Sequence, residues 1–345
     1  MPESDLGQLS TLLVYGAMAA YTVALVGFAV DLSGLRDRGP AGRRRRAVGI
    51  AMSTTWVAAG LHLAGLLVRA VAAGRVPWAN MYEFSLLSTF IAVAVFLGLQ
   101  RGRDLRVLGT FVTGPVLLSL GVAVSVLYVK ADGVQPALAS YWLVIHVSIA
   151  TIASGVLAVA AVLSLLQLVQ ERAELRRASG DAGTGTRLDA VPGEAAGPGD
   201  DGTPLTGTPL PGTATAGGVD TVEAPAATRT GLWGRLLESL PVSGELERLS
   251  FRLNAVGFML WTFTIIAGAI WAEHAWGRPW GWDPKEVWSF VVWVIYAAYL
   301  HARATRGWEG RRSAYLSLAG FAAILVNYFV VNLVFTGLHS YSGLG

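Results

Sequence analysis

An all-α bundle of about eight membrane-spanning helices is the fold class that this chain predicts, and three observations carry it. Of its 345 residues 53% are hydrophobic and only 14% charged, and the mean hydropathy of +0.52 is too apolar for a water-soluble domain of this size. Several apolar runs reach the roughly 20 residues that a helix needs to cross about 30 Å of hydrocarbon. Arginine, finally, is confined largely to alternate connections between those runs.

The expected spans are residues 11–30, 47–73, 84–99, 107–129, 141–169, 253–271, 287–302 and 313–336, of which the third and seventh are short. Arg36, Arg38 and Arg43 to Arg46 follow the first. Arg101, Arg103 and Arg106 follow the third, Arg172, Arg176 and Arg177 the fifth, and Arg306, Arg311 and Arg312 the seventh. The other connections hold only Arg75, Lys130, Arg278 and Lys285. Basic loops stay cytoplasmic, which puts both termini outside. The first span carries its basic residues after its apolar core and lacks a small-residue cleavage site, so it reads as a permanent helix and not a removable signal peptide.

Residues 179–230 are dominated by Gly, Ala, Thr, Pro and Asp. Such a segment buries too little apolar surface to offset its ordering entropy and reads as a disordered cytoplasmic linker. It divides the chain into 1–178, with five spans, and 231–345, with three. The latter opens on apolar residues at helical spacing, Leu232, Trp233, Leu236, Leu237 and Leu240, as a short interfacial helix would.

Composition also bounds the chemistry. The absence of cysteine excludes disulfides, zinc–thiolate sites, iron–sulfur ligation and thiol catalysis by this chain. Metal chemistry must therefore use histidine or carboxylate. The net charge of +3 is an orientation signal and not a nucleic-acid surface.

The densest feature is the connection before the seventh span. Trp271, Trp276, Trp280, Trp282 and Trp288, followed by Trp293, put six of the twelve tryptophans within 23 residues. Glycines at 277 and 281 leave space between the rings. A membrane protein normally spreads interfacial tryptophans over many helix ends, so this density favours a platform for a flat aromatic ligand over an ordinary aromatic belt. Asp283, Pro284, Lys285 and Glu286 form a helix-start signal, with Asp283 as N-cap, Pro284 at the first helical position and Glu286 completing a capping box.

The histidines fall at two levels. At about 1.5 Å per residue, His62 and His301 lie roughly 17 and 21 Å from the outer face, while His146 lies roughly 8 Å deep and His339 follows the last span on the same side. Two matched pairs suit two sites for a metal-centred ligand, since imidazole is a good axial ligand for haem iron and costly to leave unpaired in lipid. Singly, each histidine could equally pack by a hydrogen bond or relay protons, and His301 could snorkel beside Arg303. Glu83 opens the third helix and either faces the same cavity or satisfies the helix N-terminus. Asn327 and Asn332 read as interhelical links.

The run from Gly268 to Glu286, with Trp293 to Arg303, closely resembles the WWD family of haem-handling proteins. Within it the chain resembles the CcsA/ResC-type integral-membrane subunit of the System II cytochrome c synthase. Similarity extends to the segments around His146, around His339 to Tyr341, and from Pro77 to Glu83. The resemblance implies that His146 and His339 ligate haem iron at an outer site beneath Trp271, Trp276, Trp280, Trp282, Asp283 and Trp288, and that His62 and His301 serve a membrane-embedded site on the way out. His274 is left out of that ligand set. It further implies haem b as substrate and ligand, carried to the outer face of a bacterial cell membrane and attached through thioethers to the CxxCH thiols of apocytochrome c. Implied partners are a ResB-type membrane subunit with a large extracytoplasmic domain, apocytochrome c, membrane lipid and a thiol-reducing thioredoxin-like protein. A CcmC-like chain that delivers haem without ligation is the nearest alternative, although six spans would be expected for it. A lipid-linked glycan transporter would need more charged residues along its helices.

Single introduced cysteines at Gly42, Gly180 and Gly307 are expected to label from the cytoplasmic side, and those at Val134, Arg278 and Gly345 from the other. A cytoplasmic Arg278 would overturn both the orientation and haem export. Deleting residues 182–226 is expected to leave the yield of membrane-inserted protein largely unchanged, because flexible segments tolerate length change at small entropic cost.

Overall fold

Lipid offers no hydrogen-bond partners, so apolar runs of this length must close their backbone polar groups internally, and helices do so within one segment. The computed structural model describes residues 3–34, 41–102, 105–131, 140–185 and 237–339, which form helices and connections with no strand among them. In chain order the long helices are α1 (Glu3–Gly34), α2 (Ala41–Ala73), α3 (Met81–Leu99), α4 (Leu108–Ser125), α5 (Tyr141–Gly185), α6 (Ser243–Trp276), α7 (Pro284–Arg306) and α8 (Arg311–Leu325). A π turn, Val326–Val330, carries α8 into a last α-helical turn, Val331–Val334. Eight helices are long and apolar enough to cross a membrane, as expected from the sequence.

The ends depart from the expected spans where polar residues take part in the helix. Asn80 caps α3 by accepting from the Glu83 N–H, which starts that helix at Met81 and not at 84. α5 is 45 residues long and continues to Gly185, so residues 179–185 are helical where linker was expected. α6 begins at Ser243, ten residues before the apolar run at 253. Of the expected interfacial helix near 232–240, residues 237–239 form a helical turn and 231–236 lie outside the described residues. The remainder of the expected linker, from 186 on, also lies outside them.

α5 is the central helix: 72% of its most apolar window is buried, against 17–39% in the other seven. It packs on α3, α6 and α8, while α1 and α2 pair on one flank and α7 leans on α6 and α8. Close approach relies on missing side chains, as is usual between helices in lipid. A β-carbon at Gly155 would sit 2.7 Å from Ile91 of α3, and one at Gly257 would collide with Leu157. Hydroxyls and one amide then bridge α5, α6 and α8: Ser164 to Ser250 at 2.6 Å, and Asn254 to Ser250 and Ser317 at 3.0 and 2.9 Å.

The end of the bundle that carries the Trp-rich connection is fastened differently. Arg69, near the end of α2 and wholly buried, meets Glu83 of α3 at 2.9 Å and donates to the Val129 carbonyl beyond α4 at 2.6 Å. Glu83 also takes Arg75 at 2.7 Å and the Ala79 N–H at 2.9 Å. One carboxylate thus joins α2, the α2–α3 connection and, through Arg69, the segment after α4. Of the two readings of Glu83, the helix-terminus one fits these contacts; the residue is not in the cavity wall described below.

Removing one member of a buried ion pair strands its partner's charge, at a cost of about 3–5 kcal/mol. Glu83→Ala should therefore lower thermal stability in micelles strongly. Arg75→Ala, which removes a partly exposed contact, should lower it by about 1 kcal/mol or less. Equal effects of the two substitutions would contradict this ranking.

Candidate functional site

A cavity of about 480 Å³ opens at the fastened end between α3, α4, α5, α6, α7 and α8. That is within the usual range for a small-molecule site. Most of its wall is apolar, and His146, Trp271, Trp280, Lys285 and His339 are among the polar or aromatic groups facing it. Trp78, absent from the sequence reading as a site residue, also lines it and packs with Leu143 and Trp271.

The two cavity histidines are held alike. Nδ1 of His146 lies 2.8 Å from the Thr264 carbonyl oxygen of α6. Nδ1 of His339 lies 2.9 Å from Asp283 Oδ1. A carbonyl or carboxylate oxygen can only accept, so each Nδ1 carries the proton and each Nε2 keeps its lone pair. An imidazole held this way by an acceptor on its far nitrogen is oriented as a metal ligand. Trp271, buried between them, stacks on His146 (6.2 Å, 11° between planes) and meets His339 edge-on at 5.7 Å. Trp276 stands edge-on to both Trp271 and His339, at 4.7 and 4.9 Å.

Two glycines make these contacts possible. Gly268 lies one helical turn beyond Thr264, and a β-carbon there would sit 2.8 Å from the His146 ring, closing the approach to the carbonyl. A β-carbon at Gly337 would collide with Asp283 Oδ2, which accepts the Leu338 N–H at 2.7 Å.

The expected start of α7 is present in full. Asp283 accepts from the Lys285 N–H, Pro284 holds the first helical position, and Glu286 returns a bond to the Asp283 N–H. Glu286 Oε2 also takes the Gly281 N–H at 2.7 Å, which ties the loop to the helix. Burial of the Asp283 carboxyl opposes ionisation, but the hydrogen bond from His339, with those from the Lys285 and Leu338 N–H groups, takes it down to about 2. The carboxylate is therefore charged throughout the physiological range. Its stabilising contribution is lost only as pH falls through about 2. Lys285 Nζ donates to the Asn327 carbonyl at 2.9 Å and to Asn332 Oδ1 at 3.0 Å, linking α7 to the π turn of α8.

The remaining sequence-predicted residues spread around this centre. Trp280 lines the cavity and stands edge-on to Trp282 at 5.8 Å. Trp282 is 74% exposed and, alone among the described non-glycine residues, has positive φ (60°). Trp288 is half-buried on α7 and outside the cavity wall. His274 is exposed, with Nδ1 turned onto the Ile270 carbonyl at 2.7 Å. His62 and His301 are not brought together. His62 is fully buried between Tyr21 and Phe90, whereas His301 is exposed on α7, which packs against other helices than α2 does. Tyr341 lies outside the described residues. Among the described residues no cluster of three or more His, Cys, Asp or Glu could hold a bare metal ion. His146 and His339 are the histidines in the cavity wall.

Similarity to known proteins follows the same geography. Residues 78–339 match the family described as cytochrome C assembly protein, which takes in every group of the cavity. The cytochrome c biogenesis protein CcsA of Gloeobacter violaceus is 39% identical over 294 residues, covering 82% of this chain and 84% of that protein. The CcsA of Synechocystis sp. is 37% identical over 293 residues, covering 82% and 85%. Among solved structures the cytochrome c haem lyase CcmF superposes with a TM-score of 0.59 at 17% identity, a likeness of fold. All of this chain is covered there, and it spans about half (49%) of that protein. With eight helices apolar and long enough to span a membrane among the described residues, and a cavity that lies within the matched segment, the chain is a multi-pass membrane protein of cytochrome c biogenesis and belongs to the cytochrome c assembly protein family.

Proposed function

We propose that the cavity receives haem as cargo, bound through Nε2 of His146 and His339, and that the Trp-rich connection presents it for covalent attachment to apocytochrome c. The observation that carries this is the matched tethering of the two imidazoles, each with Nδ1 fixed to an oxygen acceptor and Nε2 left free within one cavity. A porphyrin already supplies four of the iron's ligands, so two imidazoles suffice where a bare ion would need more. The apolar wall and the rings of Trp78, Trp271 and Trp280 suit the macrocycle's faces.

Bound haem supplies iron and two vinyl groups. The thiols come from the CxxCH segment of the apocytochrome, because this chain has no cysteine. Each thiol adds across a vinyl, forming a C–S bond while its hydrogen goes to the other vinyl carbon, with no net oxidation. The chain's residues orient the iron, keep the macrocycle in an apolar wall and leave one edge open near the exposed Trp282. In this reading the cavity faces outward, as the arginine asymmetry requires. A membrane subunit with a large extracytoplasmic domain and a thiol-reducing partner would complete the assembly in the bacterial cell membrane. For the inner station, His62 offers a buried Nε2 without a hydrogen-bond partner. His301, exposed on α7, would serve the same path separately from His62.

The test is haem content of the purified protein, by absorbance, beside covalent cytochrome c yield in cells. His146→Ala and His339→Ala should each remove the bis-imidazole spectrum and abolish maturation, and added imidazole should partly restore maturation in His146→Gly and His339→Gly. Asp283→Ala should leave the bundle assembled but loosen the start of α7 and the segment at Leu338, and lower haem affinity by about 10- to 100-fold, the usual cost of losing an orienting partner. His274→Ala should mature cytochromes normally. Normal maturation with His146 and His339 both replaced would refute the assignment.

A further inference from the structure

The cavity that holds His146 and His339 also contains a cation that the ligand assignment does not use. Lys285 lines the wall, and its Nζ donates to two neutral oxygens, the Asn327 carbonyl and Asn332 Oδ1. No carboxylate lies within ion-pairing distance of it among the described residues. Asp283, the nearest acidic neighbour in sequence, engages the backbone N–H of Lys285 and commits its oxygens to Leu338 and His339.

An ammonium set in an apolar wall with no ion-pair partner is costly, and inside a membrane such groups normally have a charged partner in contact; Asp283 acts on Lys285 only from beyond that distance. Here the fold invests in holding the amine. The π turn at Val326–Val330 breaks the regular α-helical ladder where Asn327 sits, and its carbonyl accepts from Lys285. Asn332 is oriented in turn by donating to the Tyr328 carbonyl at 2.8 Å. Two acceptors occupy two of the three ammonium hydrogens, leaving one donor free on a residue that lines the cavity.

Resting on the haem reading above, we propose that Lys285 is the anchor for a carboxylate tail of the ligand: the cavity selects a planar, metal-centred amphiphile that carries an acid group, in haem a propionate. The two imidazoles fix the iron. Lys285 fixes rotation about the axis through it, and so decides which edge of the macrocycle stands open. The π turn and the two asparagines are positioning groups for that amine.

The experiment compares the full-length chain and its variants, in the same micelles, for binding of ferric haem and of ferric haem dimethyl ester, whose acids are capped. The wild-type protein should bind the free acid about tenfold or more tightly, the worth of one charge-assisted hydrogen bond. Lys285→Met should bind both alike, with its absorbance maximum unchanged because both axial histidines remain. Lys285→Arg should retain the preference, and serves as the folded control if the methionine variant fails to assemble. Comparing ratios within one micelle system cancels the ester's greater partition into detergent. Equal binding of acid and ester by the wild-type protein would overturn the proposal, as would a preference that survives in Lys285→Met, while the haem reading would stand. Failure of the wild-type protein to bind either porphyrin would overturn both.

Discussion

The Asp283 carboxylate is the contact on which the working end of this bundle depends. Its two oxygens serve the first turn of α7, the backbone at Leu338 and the ring of His339 at once. The first fixes where a helix begins, the second brings the segment after the last helical turn across to it, and the third sets which nitrogen of the imidazole is free. No β-carbon fits at Gly337, so the crossing strand of chain lies directly on the carboxylate. Three donors, two of them from the segment after the last helix, are thereby held in one geometry, which is what a preorganised ligand site requires.

Around that clasp, lipid changes the weight of every polar group. In water an exposed ion pair is worth little. In this chain the polar groups that matter are enclosed: Glu83 with Arg69, the Ser164–Ser250–Asn254–Ser317 chain, and Lys285 with its asparagines. Each joins different helices, and each leaves an unpaired group in a poor solvent if broken. The glycines complement them by letting backbones approach until these short side chains reach. The bundle is held by a few such bonds together with close packing, because burial against lipid gives helices no hydrophobic reason to associate.

Much of this was legible in the sequence, for identifiable reasons. Apolar runs of spanning length gave eight helices, and the Asp283 to Glu286 signature gave the α7 capping box with its roles correct. The density of Trp271 to Trp288 falls at the end of the bundle where the cavity opens, and His146 and His339, read at similar depth, both line it. Other features left no local trace. Arg69 sits within an apolar helix whose average hydropathy conceals it, and its partner is defined only by folding. Gly268 and Gly337 look like any other of the 41 glycines until the rings and carboxylate they admit are in place. The inference of a second pair from depth alone joined His62 and His301, but depth is one coordinate. Position around the helix and the choice of neighbouring helix are the others, and α2 and α7 differ in both.

The π turn in α8 has a consequence for how this end of the chain can change. A π turn carries one residue more than the α-helical turn it replaces, and each residue of an α-helix advances the chain by about 100° around its axis. Everything beyond Val330 is therefore rotated relative to the face that α8 presents to α5 and α7. Asn332, the crossing at Gly337 and the ring of His339 all inherit that rotation. Substitution within 326–330 alters one side chain, whereas gain or loss of a single residue there would turn the whole terminal segment away from Asp283. A change of chain length in this short stretch therefore acts on the site through geometry, whichever residue is gained or lost.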